Sequence, residues 1–294
     1  MSLFSLFGAV EIGLIFALVA LGVYISFRLL RFPDLTVDGS FPLGGAVCAV
    51  LISGGTNPWI ATLAATAAGA VAGMVTGWLN VKLKIMDLLA SILMMIALYS
   101  VNLRIMGGPN IPLINDPTIF NMLQPEGMDD YLFRPLLLLV IVVLAKLLLD
   151  WFFATERGLA IRATGSNARM ARAQGVNTGA MILLGMAVSN GLVGLAGAMF
   201  VQTQGGSDIS MGIGTIVIGL AAVIVGESIL PSRKIFYATL AVVIGAIVYR
   251  FFIAAALNSD FIGLKAQDLN LVTAVLVTVA LVIPQLKRKL SRKP

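Results

Sequence analysis

Long apolar runs separated by short polar stretches dominate the pattern of this chain. A helix that crosses the hydrocarbon core of a bilayer needs about 20 mostly apolar residues. By that measure the sequence predicts nine candidate segments, at about 6–27, 41–54, 57–79, 85–106, 134–153, 178–203, 212–230, 235–257 and 268–284. The second segment is short and follows Phe41-Pro42, so it is either a half-helix or a re-entrant piece. We therefore expect eight or nine membrane spans.

The composition agrees with a membrane protein and removes several other classes. Hydrophobic residues make up 59% of the 294 residues and charged residues 12%, whereas soluble domains carry roughly 25% charged residues. Cys48 is the only cysteine and histidine is absent, which excludes a disulfide scaffold, a zinc or Cys/His metal site and His-dependent catalysis. We predict an all-α polytopic membrane protein, with residues 1–294 as a single transmembrane domain that is not an enzyme.

The basic residues predict how the chain is oriented. One alternating set of loops holds 15 of the 20 Lys and Arg residues, including Arg28, Lys82, Arg233 and the tail 285–294. Lys and Arg concentrate in cytoplasmic loops, so this set and the C-terminus are expected in the cytoplasm and the N-terminus outside. The net charge of +6 is thereby explained by membrane orientation, and no nucleic-acid partner is expected.

The longest polar stretch is the predicted outer loop, at about 107–134. Because it is rich in proline, a long regular helix is not expected there. It is either a structured cap, on which an extracytoplasmic partner docks, or a simple connector.

Small residues recur at helical spacing in two of the predicted spans. Gly69, Gly73 and Gly77 are four residues apart, and Gly191, Gly194 and Gly197 recur in the sixth segment. Such spacing lets two helix backbones approach closely, so we expect tightly packed helices there.

The cytoplasmic loop at about 154–177 has the most distinctive pattern. We predict a short helix from about Gly158 to Ala163 that breaks at Gly165, and a second one over Ala168 to Gln174. Asn167 is a favourable N-cap and Gly175 a favourable stop for the second helix. A helix of that length is not stable alone in water, so it needs a surface to lie on. A solvated basic loop without a partner is the alternative interpretation.

The same loop carries a resemblance to a known family. The pattern Glu156-Arg-Gly-x-Ala-Ile-Arg-Ala-x-Gly-x-Asn167, followed by Ala171-x-x-x-Gly-Val-Asn177, resembles the coupling-helix loop of ABC importer permeases. The branch is the branched-chain amino acid and ribose type, which the glycine-rich stretch 191–198 also resembles. Residues 34–41 and 98–110 are similar to permeases of tryptophan/tyrosine-type systems, and the resemblance covers nearly the whole chain.

The resemblance implies a membrane subunit of a binding-protein-dependent importer in the bacterial inner membrane. Its loop helix would dock on a separate ATPase through Ser166, Asn167, Arg169, Met170, Arg172, Gln174 and Gly175, with Glu227 a weaker candidate. No Gly-Lys pair occurs in the chain, so it lacks a P-loop and ATP and Mg are expected on that ATPase.

The implied assembly holds two ATPase copies, an extracytoplasmic substrate-binding protein and a second permease copy. A homodimer is expected, and a related heterodimer partner is left open. The implied substrate is a small solute, an amino acid and by the subgroup an aromatic one.

Polar residues in or beside the spans are candidates for the substrate pathway: Asp34, Thr36, Asp38, Asn102, Asn190, Gln202 and Gln204. Surface helix capping is the alternative for the two aspartates, and ties between helices are the alternative for the amides. Glu11 and Asp87 are identified as the acids within or at the end of spans.

A different class of function is an ion-coupled secondary transporter or channel that works without an ATPase. It would need ion sites at broken helices, for which two acids offer little. A membrane enzyme lacks a convincing set of acid, base, nucleophile or metal ligands.

Overall fold

A computed structural model describes residues 3–114, 116–125, 127, 129–232 and 234–257, together with 275 and 278. Within these residues the protein is mostly helical. The α-helices are α1 Leu3–Val23, α2 Val37–Ser53, α3 Pro58–Leu83, α4 Asp87–Met106, α5 Ile119–Leu123, α6 Asp130–Ala154, α7 Glu156–Ser166, α8 Ala168–Ala173, α9 Thr178–Gln204, α10 Thr215–Ile229 and α11 Ile235–Leu257. A π-helix, Tyr24–Leu30, continues α1.

Among the described residues, six helical stretches are long and apolar enough to cross a membrane: Leu6–Leu30, Pro58–Leu83, Asp87–Met106, Asp130–Ala154, Thr178–Gln204 and Ile235–Ala255. Two apolar helices are shorter, namely α2 with 17 residues and α10 with 15. The polytopic all-α prediction is confirmed, whereas the count of eight or nine spans is not. The ninth predicted segment, 268–284, and the basic tail 285–294 lie outside the described residues, as does Arg233.

The first span is the centre of the bundle. Residues from Leu14 to Ile25 are almost completely buried, and α1 packs against α6, α9, α10 and α11. The helix widens into the π-helix and ends at Arg31, whose φ of 57° is left-handed. This turn brings residues 32–36 back into the bundle, towards the start of α2.

Glycines let α9 lie against α3 and α2, as their spacing predicts. A Cβ atom added at Gly69 or Gly73 would collide with the backbone of α9, at the carbonyls of Asn190 and Met186. On the other side, a Cβ at Gly197 would collide with the carbonyl oxygen of Phe41 in α2. These backbone approaches are possible only because the residues have no side chain.

Two boundaries predicted from the sequence are wrong. Helix α2 begins at Val37 and runs through Pro42, which costs one amide hydrogen bond near the start of the helix without ending it. Helix α7 runs through Gly165, which does not break it. A Cβ at Gly165 would collide with the backbone of Leu29 and Leu30, so this glycine serves close contact with the π-helix.

The outer loop is shorter than predicted, because α6 already begins at Asp130. It contains the strand β1, Asn110–Pro112, and the short helix α5. Strand β1 pairs antiparallel with β2, Gly206–Asp208, in the register Asn110↔Asp208. The expectation that no long regular helix forms between 107 and 129 is therefore confirmed for the described part of that loop.

Substituting Gly197 should destabilise the fold. We expect Gly197→Val to lower the free energy of unfolding by about 1–3 kcal/mol or more, because the new side chain forces α2 away from α9. Gly8→Val is the matched control, since a Cβ at Gly8 meets nothing within 4 Å. Thermal unfolding of the purified chain measures both, and an unchanged melting temperature for Gly197→Val would contradict the packing described.

Candidate functional site

The loop that the sequence predicts to be cytoplasmic folds into two short helices, α7 and α8, separated by one residue. Asn167 caps α8, because its Oδ1 accepts hydrogen bonds from the amides of Arg169 and Met170, both at 3.1 Å. Gly175 follows the helix with a left-handed φ of 84°. The predicted cap and stop are thus confirmed, and α8 ends one residue before the predicted Gln174.

One face of α8 packs on the protein and the other faces outward. Ala171 is buried, whereas the side chain of Met170 is 63% exposed. The predicted contact residues of this loop are all exposed: Ser166, Asn167, Arg169, Met170, Arg172, Gln174 and Gly175. The structure therefore brings these seven residues together on an outward surface that combines cationic groups with an apolar side chain.

Helix α7 fixes this loop to the membrane domain. Gly165 contacts the backbone of the π-helix at Leu29, Gly158 contacts the backbone of Phe153 in α6, and the side chain of Ile161 is fully buried. Tight backbone contacts of this kind transmit displacement, because a close-packed interior deforms little.

Glu227 makes a contact of a different kind. Its Oε1 accepts a hydrogen bond from Nε of Arg28 at 2.6 Å, which joins the end of α10 to the π-helix. Among the described contacts, Glu227 bonds to Arg28 and to none of the α8 residues with which the sequence grouped it.

A buried polar cluster joins the 32–36 segment to α9. Asn190 Nδ2 donates to Asp34 Oδ2 at 2.7 Å, and Ser40 Oγ donates to Asn190 Oδ1 at 2.8 Å. The amide of Thr36 donates to Asp34 Oδ1, and the Thr36 and Thr76 hydroxyls lie 2.9 Å apart. All five residues are fully buried, so surface capping by Asp34 is wrong. Their polar groups are satisfied by one another, which is typical of a structural tie.

Asp38 caps a helix, although not its own. Its Oδ1 accepts from the amide of Ile216 at 2.7 Å and its Oδ2 from the amide of Gly214 at 3.2 Å, both at the start of α10. A carboxylate is favourable there because the first amides of a helix lack intrahelical partners. The two short apolar helices therefore meet at Asp38 inside the bundle.

The other candidate pathway residues occupy separate places. Gln202 is buried; its Nε2 donates to Thr62 Oγ1 at 2.9 Å and its Oε1 accepts from the amide of Ile119 at 3.0 Å, which ties α9 to α3 and α5. Gln204 is exposed at the end of α9. Asn102 is fully buried and donates to the carbonyl of Gly39, while its Oδ1 has no hydrogen-bond partner among the described residues.

A cavity of about 510 Å³ lies where α2, α4 and the segment 209–213 meet. Its lining includes Asp38, Pro42, Ile96, Tyr99, Asn102 and Ile213. Of the seven candidate pathway residues, only Asp38 and Asn102 border it. The structure thus places Asp38 and Asn102 in the lining of the cavity, Asp34, Thr36, Asn190 and Gln202 in contacts that hold helices together, and Gln204 on the surface.

The sequence reading missed a buried ion pair in α6. Lys146 Nζ lies 2.6 Å from Asp150 Oδ2, and Thr239 Oγ1 in α11 donates to Asp150 Oδ1 at 2.7 Å. Lys146 also lies over the ring of Phe236, 3.2 Å from its centroid. The signal was present, because a Lys and an Asp four residues apart within an apolar run can neutralise each other on one helix face. No cluster of three or more potential metal ligands occurs among the residues described.

Six long apolar helices among the described residues, together with a cavity beside α4, are typical of a membrane transport subunit. Residues 5–283 match the family model described as the permease component of branched-chain amino acid transport systems. The chain belongs to this family of ABC-type permeases.

Individual relatives extend the comparison. The tyrosine transport system permease protein of Clostridioides difficile is 38% identical over 95% of this chain and 91% of its own. The galactofuranose transporter permease protein of Escherichia coli is 28% identical over 88% and 73% of the two chains, and the ribose import permease protein of Escherichia coli 26% over 87% and 78%. These are transport components and not enzymes, which confirms the prediction that this chain is not one. No solved structure matches the chain.

Removing the amide of Asn190 should be costly for stability. Asn190→Leu leaves Asp34 Oδ2 without that donor and the Ser40 hydroxyl without its acceptor, so we expect a loss of about 2–3 kcal/mol in thermal unfolding. In the double variant Asp34→Asn/Asn190→Asp the donor and the acceptor exchange places, and part of the stability should return. Equal melting temperatures for the single and double variants would argue against this pairing.

Proposed function

We propose that this chain is the membrane-spanning permease subunit of a binding-protein-dependent ABC importer that moves a small solute into the cytoplasm. The observation that carries the proposal is the exposed surface of α8. This six-residue helix presents Arg169, Met170 and Arg172 outward, away from the rest of the described protein. Such a helix gains its stability from packing, so a partner that covers it would be stabilising. The expected partner is a separate ATPase, which binds ATP and Mg and is present in two copies.

A continuous series of contacts supports coupling between α8 and the membrane domain. Helix α7 contacts the π-helix through Gly165, and Arg28 of the π-helix bonds to Glu227 of α10. The opposite end of α10 is capped by Asp38 beside the cavity. Closure of an ATPase dimer would move α8. These contacts would carry the displacement through α7, the π-helix and α10 to the cavity, and would shift the protein between inward-open and outward-open states.

The exposed face of α4 supports an assembly with a second copy of the chain. Only 22% of its most apolar window is buried, the smallest share among the six long helices. That face exposes Tyr99 and Ser100, which line the cavity, and also Arg104, and polar groups of this kind are costly against lipid. A homodimer would cover the face and close the passage from its open side. The paired strands β1 and β2 would offer an outer surface for the substrate-binding protein.

The named relatives support the substrate class. One relative, 38% identical to this chain, is a tyrosine transport system permease, so an amino acid, and specifically an aromatic one, is the proposed cargo. Two buried acids are already paired, which disfavours ion coupling through them as the alternative. Asp34 accepts hydrogen bonds from Asn190 and from the amide of Thr36, and Asp150 is neutralised by Lys146.

Charge reversal on α8 tests the docking surface. We expect Arg169→Asp/Met170→Asp to abolish co-purification of the cognate ATPase and to reduce ATP-driven uptake more than tenfold, because the surface loses its apolar anchor and gains repulsive charge. The matched control Arg157→Asp/Leu159→Asp changes exposed residues of α7 in the same loop. If both double variants lose the ATPase equally, or neither does, docking through α8 is refuted.

The proposed orientation places the N-terminus outside, the C-terminus in the cytoplasm and residues 1–294 in one transmembrane domain of the inner membrane. An impermeant maleimide added to intact cells should label Asn121→Cys in the outer loop and should label Gln174→Cys only after the membrane is opened. Both positions are exposed, and the native Cys48 is buried, so the parent chain serves as the unlabelled control. Labelling in the reverse order would overturn the orientation.

A further inference from the structure

The cavity between α2, α4 and the 209–213 segment has a pronounced chemical asymmetry. Most of its wall is apolar, formed by Pro42, Met95, Ile96 and Ile213 together with the ring of Tyr99. Its volume of about 510 Å³ lies within the range of small-molecule sites. An apolar or aromatic body of modest size would therefore fit the larger part of the space.

The polar end of the cavity is rich in acceptors. Asp38 is half-buried there, and each of its carboxylate oxygens accepts one amide hydrogen, which leaves about half of its acceptor capacity free. Asn102, also in the lining, has a buried Oδ1 with no partner among the described residues. A donor group of a ligand in the cavity would satisfy the free acceptor positions of the half-buried Asp38.

The charge at this end is not compensated by a basic side chain. The ion pairs of the described region involve Glu227, Asp130 and Asp150, and none involves Asp38. No Lys or Arg occurs in the part of the lining that the structure describes. A carboxylate that is partly desolvated and lacks a counter-ion attracts a cation, and the exposed ring of Tyr99 attracts one as well.

We propose that this cavity is a substrate subsite that binds the ammonium group of an amine with an apolar or aromatic body, through Asp38, and leaves any carboxylate of the ligand unrecognised. The proposal rests on the transport function proposed above and adds to it which end of an amino acid the membrane subunit recognises. An amine without a carboxylate should therefore bind, and the corresponding acid without an amine should not.

Protection of a cysteine in the cavity wall tests this subsite. Ser100 lines the cavity, and the complex of the Ser100→Cys chain with its ATPase would be alkylated in nanodiscs without ATP or binding protein. The probes are tyramine, L-tyrosine, 3-(4-hydroxyphenyl)propionate and ribose. We expect tyramine and L-tyrosine to slow alkylation at least about tenfold, and the acid and the sugar to leave it unchanged. Equal protection by all four probes, or by none, would overturn the proposal.

Removal of the charge gives a second readout. Asp38→Asn keeps one of the two oxygen acceptors at the start of α10 and loses the negative charge, so the tyramine concentration for half-protection should rise about tenfold. Asp87→Asn is the matched control, because Asp87 accepts from Asn80 and does not line the cavity. Unchanged protection in Asp38→Asn would refute the role of the carboxylate.

The importer function and the amine subsite can be refuted independently of each other. ATP-driven uptake into proteoliposomes by the whole complex with its binding protein tests the importer, irrespective of which group the cavity recognises. Amine-selective protection requires neither ATP nor uptake, so its absence in a complex that transports would remove the subsite and leave the importer standing.

Discussion

The requirement to pair every polar group inside a lipid-embedded bundle governs this structure most visibly at Asn190. Water is not available there, so Asp34 Oδ2 and the hydroxyl of Ser40 depend on that one side-chain amide, while Asp34 Oδ1 is bonded by the amide of Thr36. The same turn of α9 receives Gly69 and Gly73 of α3 at backbone distance. Asn190 thus hydrogen-bonds to Asp34 in the segment that leads into α2 and to Ser40 in α2 itself, and it also lies where α3 and α9 come closest.

The two short helices follow from the same requirement. Helices of 15 and 17 residues span only about 22–25 Å, less than the roughly 30 Å of a hydrocarbon core, so each has an end inside the protein. The free amides at the start of α10 are satisfied by Asp38 of α2, and a cavity lies beside that junction. Non-helical backbone at this depth is stable because protein surrounds it, and it creates the space in which a solute could be held.

Much of the fold was accessible from the sequence, because apolar length predicts membrane helices with little help from tertiary structure. The caps of α8 were accessible as well, since Asn167 and Gly175 act on their immediate neighbours. The boundaries of α2 and α7 were not, because Pro42 and Gly165 act through distant partners that local pattern does not reveal. For the same reason, the sequence could not separate the roles of Asp34 and Asp38. The two residues are four positions apart, yet Asp34 belongs to a buried hydrogen-bonded cluster and Asp38 lines a cavity. Lys146 and Asp150 were overlooked within a strongly apolar run, although their spacing was informative.

The cap on α10 also bears on biogenesis. Asp38 and Ile216 are 178 residues apart in the chain, and the intervening helices must be synthesised between them. When α10 leaves the ribosome its first amides have no acceptor of their own, and lipid supplies none. Helix α10 can therefore settle at its final depth only after α2 is in position to receive it, so the amino-terminal third of the protein acts as a template on which the last part is inserted.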